Sequence, residues 1–257
     1  MKANYHTHSK YCGHASGEAE EYVLRAIERG LDTIGFACHV PYTFNNGYVS
    51  GFRIQPEDHE KYINDVLACR EKYGDRIKIL LGYEAEYYPR HFDGMLENIR
   101  KYPVDYLILG QHESDNEYDG ISNHTPAESI ERVKKYADTL IRAMETGLFT
   151  YIAHPDLLSY EGDEEEYLSE MKRVIEKAIE TDTPLELNLL GLCDGRPYPK
   201  NCFFDLVGKM GCPVIVGCDA HSPDKVADPN DLEMAEQFIK RHGLCVREYV
   251  SLRKVQL

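Results

Sequence analysis

Seven short apolar segments, at 3–8, 33–37, 77–81, 105–110, 150–153, 185–189 and 214–217, recur along this chain with helical periods between them. The helical pattern is plainest where Ala19, Tyr22, Val23, Ala26 and Ile27 share one face ahead of Gly30, a residue free to close a helix in the left-handed conformation. Two further stripes support the alternation, one through Ile63, Val66 and Leu67 after Pro56, the other through Leu168, Met171, Val174, Ile175 and Ala178. The acidic run 163–166 suits the N-terminus of that last helix, and Thr125-Pro126-Ala127-Glu128 predicts another helix start with proline in the first turn. Strands that are short and continuously apolar are buried on both faces, which implies parallel pairing under helices. We read the fold as α/β, a distorted seven-stranded (β/α) TIM-like barrel in a single domain spanning 1–257. An open doubly wound sheet is the rival, weakened because no glycine-rich phosphate loop comes after the first strand.

The polar residues just beyond each strand carry the chemistry. His6 and His8 end the first, with His14 a little further on; His39 comes after the second, Glu84 after the third, His112 after the fourth, His154 after the fifth, and Asp219 and His221 after the seventh. In a parallel barrel all these carboxyl ends open on one face, where sites are built. The period of two also points His6 and His8 to the same side as a ready pair of imidazole donors. His59, His91, His124 and His242 fall in helical or loop segments and read as structural. Clustered imidazole and carboxylate without clustered thiolate suits zinc, manganese or iron. Nine donors exceed what one ion can use, so two to three divalent transition metals are expected.

Composition narrows the partners. The net charge of −15 disfavours a nucleic-acid binder, which needs basic patches to neutralise phosphates. The first residues lack the apolar stretch of an export signal, and no apolar run approaches the roughly 18 residues of a membrane span. A cytoplasmic protein is expected. The eight cysteines include no C-x-x-C pair and read as reduced core residues, although Cys12 and Cys38 lie close to the histidines.

The ordered set His6-Thr7-His8, His14, His39, Gly82-Tyr83-Glu84, Gly110-Gln111-His112, Ala153-His154-Pro155 and Asp219-Ala220-His221 resembles the motifs of the polymerase and histidinol phosphatase (PHP) family. The likeness runs from position 6 to 221. It implies a seven-stranded barrel with a trinuclear site: one ion on His6, His8, Glu84 and Asp219, a second on His14, His39 and His221, a third on His112 and His154, with Glu84 bridging. Within the family, 80–87 and the segments leading to His112 and His154 look most like the histidinol-phosphate phosphatases. The resemblance therefore implies a phosphomonoesterase acting on L-histidinol phosphate, its nucleophile a metal-bridging hydroxide held by Glu84, Asp219 and His221.

A phosphate dianion entering so acidic a protein needs local positive charge. Arg196, after the sixth strand, and Arg53, in the loop after His39, are the candidate substrate contacts. The aromatic-rich loop 40–54 is either a lid over the substrate or a packed surface loop. Two other functions share the motifs: a phosphoesterase on phosphotyrosine protein or a nucleotide, and a metal-binding regulatory module without catalysis. All nine donor positions are intact, which argues against the module.

Overall fold

The inward and outward sides of the sheet are written in alternating residues. In a computed structural model that describes residues 1–255, β1 (Ala3–Asn4), β2 (Thr33–Phe36), β3 (Lys78–Ala85), β4 (Tyr106–Leu109), β5 (Phe149–Ile152), β6 (Leu185–Asn188), β7 (Pro213–Gly217) and β8 (Cys245–Val246) pair in chain order, all parallel. Leu80, Tyr106, Ile108, Tyr151 and Ile215 pack together inside the curl. Their neighbours Ile79, Leu81, Leu107, Ile152 and Val214 pack outward against the helices. That is the period of two expected of a curled sheet with an apolar floor.

The covering helices are α1 (Ala19–Glu28), α2 (His59–Tyr73), α3 (Phe92–Ile99), α4 (Ile130–Glu145), α5 (Glu164–Glu180), α6 (Leu189–Cys193), α7 (Asn201–Met210) and α8 (Pro229–His242). Asp163 caps α5 by accepting the Glu166 backbone N–H, a contact worth about 1 kcal/mol. The short α6 starts at Leu189, where a strand end was expected, because the Asn188 side chain accepts the Gly191 N–H and caps a helix there.

Seven of the strands fall where the sequence reading puts them, although β1 ends at Asn4 and β3 runs on through Glu84 to Ala85, and β8 is an addition. Its two residues are exposed and pair with the start of β7, too short to leave a pattern. At the other end of the sheet an isolated parallel bridge, Thr7 to Ala220, ties the continuation of β1 to the segment after β7. His8 N–H donates to the Ala220 carbonyl at 2.9 Å and Ala220 N–H to that of His6 at 3.3 Å. These contacts draw the two ends of the sheet together at the face that carries the histidines.

The expected helix start at Thr125-Pro126 is corrected. The helix begins at Ile130, because Ala127 is held extended in a bridge to Tyr160, with its N–H donated to the Ser159 carbonyl. Among the described residues no helix is long and apolar enough to cross a membrane, and all eight cysteines are free.

Candidate metal centre

Glu84 stands last but one in β3 and points into the mouth of the barrel, buried to 1% exposure. Its carboxylate faces His154 Nε2 at 2.9 Å, His6 Nε2 at 3.2 Å, His8 Nε2 at 3.4 Å, His39 Nδ1 at 3.4 Å and His112 Nε2 at 3.5 Å. Asp219 Oδ1 approaches His8 Nε2 at 3.1 Å and His6 Nε2 at 3.4 Å. Donor atoms within 4.8 Å of one another form overlapping groups: His6–His8–Asp219, His6–Glu84–His154, His8–His39–Glu84 and His8–His14–His221. The fold thus brings together all nine side chains singled out as ligands. His154 and Asp219 also hold positive φ values of 30° and 47°, a strained backbone of the kind that persists where the surroundings fix it.

Room for the carboxylate is made by a glycine across the sheet. A Cβ on Gly110 would lie 1.8 Å from Glu84 Oε1. The same device recurs at Gly217, whose Cβ would lie 1.8 Å from Glu186 Oε1. Glu186 is a buried residue of β6 that the sequence reading missed. It accepts from His6 Nδ1 at 2.8 Å and from the His154 backbone N–H at 2.9 Å, so it orients one imidazole and fixes the chain at another. Glu86, two residues beyond Glu84, does the same for His112 Nδ1 at 2.8 Å.

Charge is balanced inside the cluster. Burial pushes the Glu84 carboxyl up, but the imidazoles of His39, His112 and His6 outweigh it and hold the group well below the usual carboxylate range. Asp219 is held low against burial by His6, His8 and His221. The facing carboxylates raise His8 to about 9 in spite of its burial, and raise His6 and His112 as well. Burial, reinforced by the charge on His8, lowers His221 to about 4, and burial also lowers His14 and His39.

The donor set asks for cations. His14 Nδ1 donates to the Cys12 carbonyl at 2.8 Å and His221 Nδ1 to the Asp219 carbonyl at 2.9 Å. A carbonyl only accepts, so both protons sit on Nδ1. The two Nε2 atoms then confront each other with lone pairs, 2.9 Å apart, in rings kept neutral at pH 7. His8 Nε2, His39 Nδ1 and Asp219 Oδ1 are moreover buried orphans without a well-formed hydrogen bond, apart from imidazole–carboxylate contacts of 3.1 to 3.4 Å. Each such orphan costs about 1–3 kcal/mol unless something else satisfies it. Imidazole and carboxylate donors in this pattern fit transition metals.

The centre floors a cavity of about 460 Å³, whose wall includes Phe52, Glu113, His124, Asp194, Arg196 and Tyr198, a size suited to a small ligand. Arg196 is exposed at the rim, with Nη1 3.2 Å from the Tyr198 hydroxyl. Arg53 departs from its expected place as a substrate contact. It is 2% exposed, and Glu86, Glu117 and the Val40 carbonyl occupy its guanidinium; two buried carboxylates attract it more strongly than solvent does. The loop 40–54 is packed at its two ends, with Tyr42 and Phe44 in the core, and exposed over 45–49. Phe52 alone reaches the cavity, 5.1 Å from His39. His124, read as structural, lines the wall 6.1 Å from the His112 ring. His59, His91 and His242 lie elsewhere, bonded to Tyr83, Tyr118 and Asp205.

Comparison with known proteins places this geometry in context. The PHP domain profile matches residues 4–189. A probable histidinol-phosphatase of Deinococcus radiodurans is 25% identical over 86% of this chain and 86% of its own. The histidinol-phosphatase of Lactococcus lactis is 26% identical over 94% and 91%. The crystal structure of a Lactococcus lactis histidinol phosphate phosphatase, complexed with zinc, L-histidinol and phosphate, superposes with a TM-score of 0.73 at 21% identity, covering 99% of this chain and 98% of that one.

Proposed function

The chain belongs to the PHP domain family, and from that premise we propose that it is a metal-dependent phosphomonoesterase releasing phosphate from L-histidinol phosphate. The observation that carries the metal half of this reading is the pair of facing, unprotonated imidazole nitrogens of His14 and His221, 2.9 Å apart. His6, His8, Glu84 and Asp219 would hold one ion, His14, His39 and His221 a second, and His112 and His154 a third with Glu84 shared. Ions so held supply an activated water at neutral pH and take up phosphoryl charge.

The chain's own side chains do the rest. Glu186 and Glu86 keep His6 and His112 turned inward. Arg196 at the rim offers a planar fork for two phosphate oxygens. Glu113 and Asp194 on the cavity wall complement the cationic amine of histidinol phosphate, which in tyrosine phosphate is offset by a neighbouring carboxylate. The net charge of −15 favours a small ester over a nucleic acid, and we read the enzyme as cytoplasmic. Relatives named histidinol-phosphatase support the substrate.

Turnover of the metal-loaded protein against histidinol phosphate, tyrosine phosphate and nucleoside monophosphates tests the proposal. Because metals make any phosphate ester labile, preference has to come from contacts realised in the transition state. Histidinol phosphate is expected to show the highest kcat/KM by at least about tenfold, the worth of one good polar contact. Equal turnover across the panel contradicts the assignment.

A further inference from the structure

One flank of the centre rests on sulfur. Residues 10–12 form a short 3-10 turn between His8 and His14, and Cys38 immediately precedes His39. His8 Nδ1 lies 3.2 Å from Cys12 Sγ, and the Cys12 carbonyl receives His14 Nδ1. Cys12 thus supports two of the proposed ligands, one through its side chain and one through its backbone. Cys12 Sγ and Cys38 Sγ lie within 4.8 Å of each other and of a His8 ring nitrogen, Cys38 Sγ is 3.2 Å from Ser9 Oγ, and both cysteines are fully buried. His6 and His112 are steered by carboxylates, and His14 and His221 by carbonyls. His8 is steered by a thiol.

The partner of one ring nitrogen decides the state of the other. With Cys12 Sγ accepting from Nδ1–H, the proton that His8 gives up on metal uptake is the one on Nε2, whose lone pair then faces the space shared with Asp219 and Glu84, 3.1 and 3.4 Å away. With the thiol donating instead, Nε2 would carry the proton and could not ligate. Cys12 can accept only when its own S–H points elsewhere, and Cys38 provides that direction. We infer that Cys12, backed by Cys38, is a positioning residue that holds His8 in the tautomer whose Nε2 faces the ion site. The inference rests on the metal-centre reading proposed above.

The test is zinc affinity, measured by competition with a chelator, together with the ring nitrogen-15 resonances of His8 in the zinc-loaded protein. Cys12→Ala is expected to weaken binding of the ion held by His8 by about ten- to a hundredfold, the usual effect of removing a ligand's outer partner. It should also shift the His8 resonances. Cys12→Ser, whose hydroxyl can still accept, should recover most of the loss. Cys69→Ala, which empties a buried thiol on α2 away from the centre, should match the parent. Equal zinc affinity in Cys12→Ala and Cys69→Ala, with His8 resonances unmoved, overturns the inference and leaves the metal reading standing. A parent protein that binds no zinc overturns both. Should Cys12→Ala fail to fold, Cys38→Ala serves: displaced His8 resonances support the relay, and unchanged ones overturn it.

Discussion

Among the described residues Arg196 is the only arginine or lysine on the cavity wall, and no proposed ligand occupies the end of its strand. Its exposure at the rim tempers what it contributes, since an exposed ionic contact is screened by solvent. Arg196→Ala should therefore raise KM for the phosphate ester about tenfold, the low end of a charge-assisted hydrogen bond, with metal content intact. Steady-state kinetics beside elemental analysis checks this, and unchanged KM returns Arg196 to the surface. The two arginines show where reading single residues runs out. Both come after strands and both read as phosphate contacts. Which one turns outward depends on Glu86 and Glu117, and Glu117 comes from a distant loop. The nine donors were legible because they fall singly or in pairs just beyond apolar runs. Glu186 was not, because it lies within Leu-Glu-Leu-Asn, inside a segment read as apolar strand, and not beyond its end where the other polar groups stand.

The elements that hold the centre are tightly dimensioned. Gly217 lies beside Glu186, and an added methyl has nowhere to go but into that carboxylate. Gly217→Ala should cost about 1–3 kcal/mol of stability, as overpacked cores do, and should weaken metal binding by tilting His6. Gly94, in α3, has no neighbour within 4 Å of its virtual Cβ. Gly94→Ala should instead stabilise the fold by up to about 1 kcal/mol through helix propensity. Urea unfolding of the pair decides the point, and a Gly217 variant as stable as its Gly94 counterpart would contradict it. Most strands and helix faces could be seen in the periodicity. The start of α4 could not, because the extended pairing of Ala127 with Tyr160 is a long-range contact that overrides a local capping pattern.

For the molecule as a whole, the barrel gathers acidic and imidazole groups that cannot stay uncompensated. In the metal-free protein the compensation is protonic: His8, raised to about 9, and His6, raised well above its ordinary value, stay protonated at neutral pH, and His112 is raised as well. An ion and a proton cannot share the same nitrogen, so metal uptake must release protons. Because His8 holds its proton up to about 9, apparent metal affinity should rise as pH increases from 6.5 towards 9 and then level off. The domain's twofold job, an apolar floor of Leu80, Tyr106 and Tyr151 below and a cation site above, arises from one curled sheet. The most direct test is calorimetric titration of metal-depleted protein with zinc at pH 7 in buffers of different ionisation enthalpy. Two to three ions per chain with net proton release is the predicted result; one ion or none, or binding with no proton released, would contradict it.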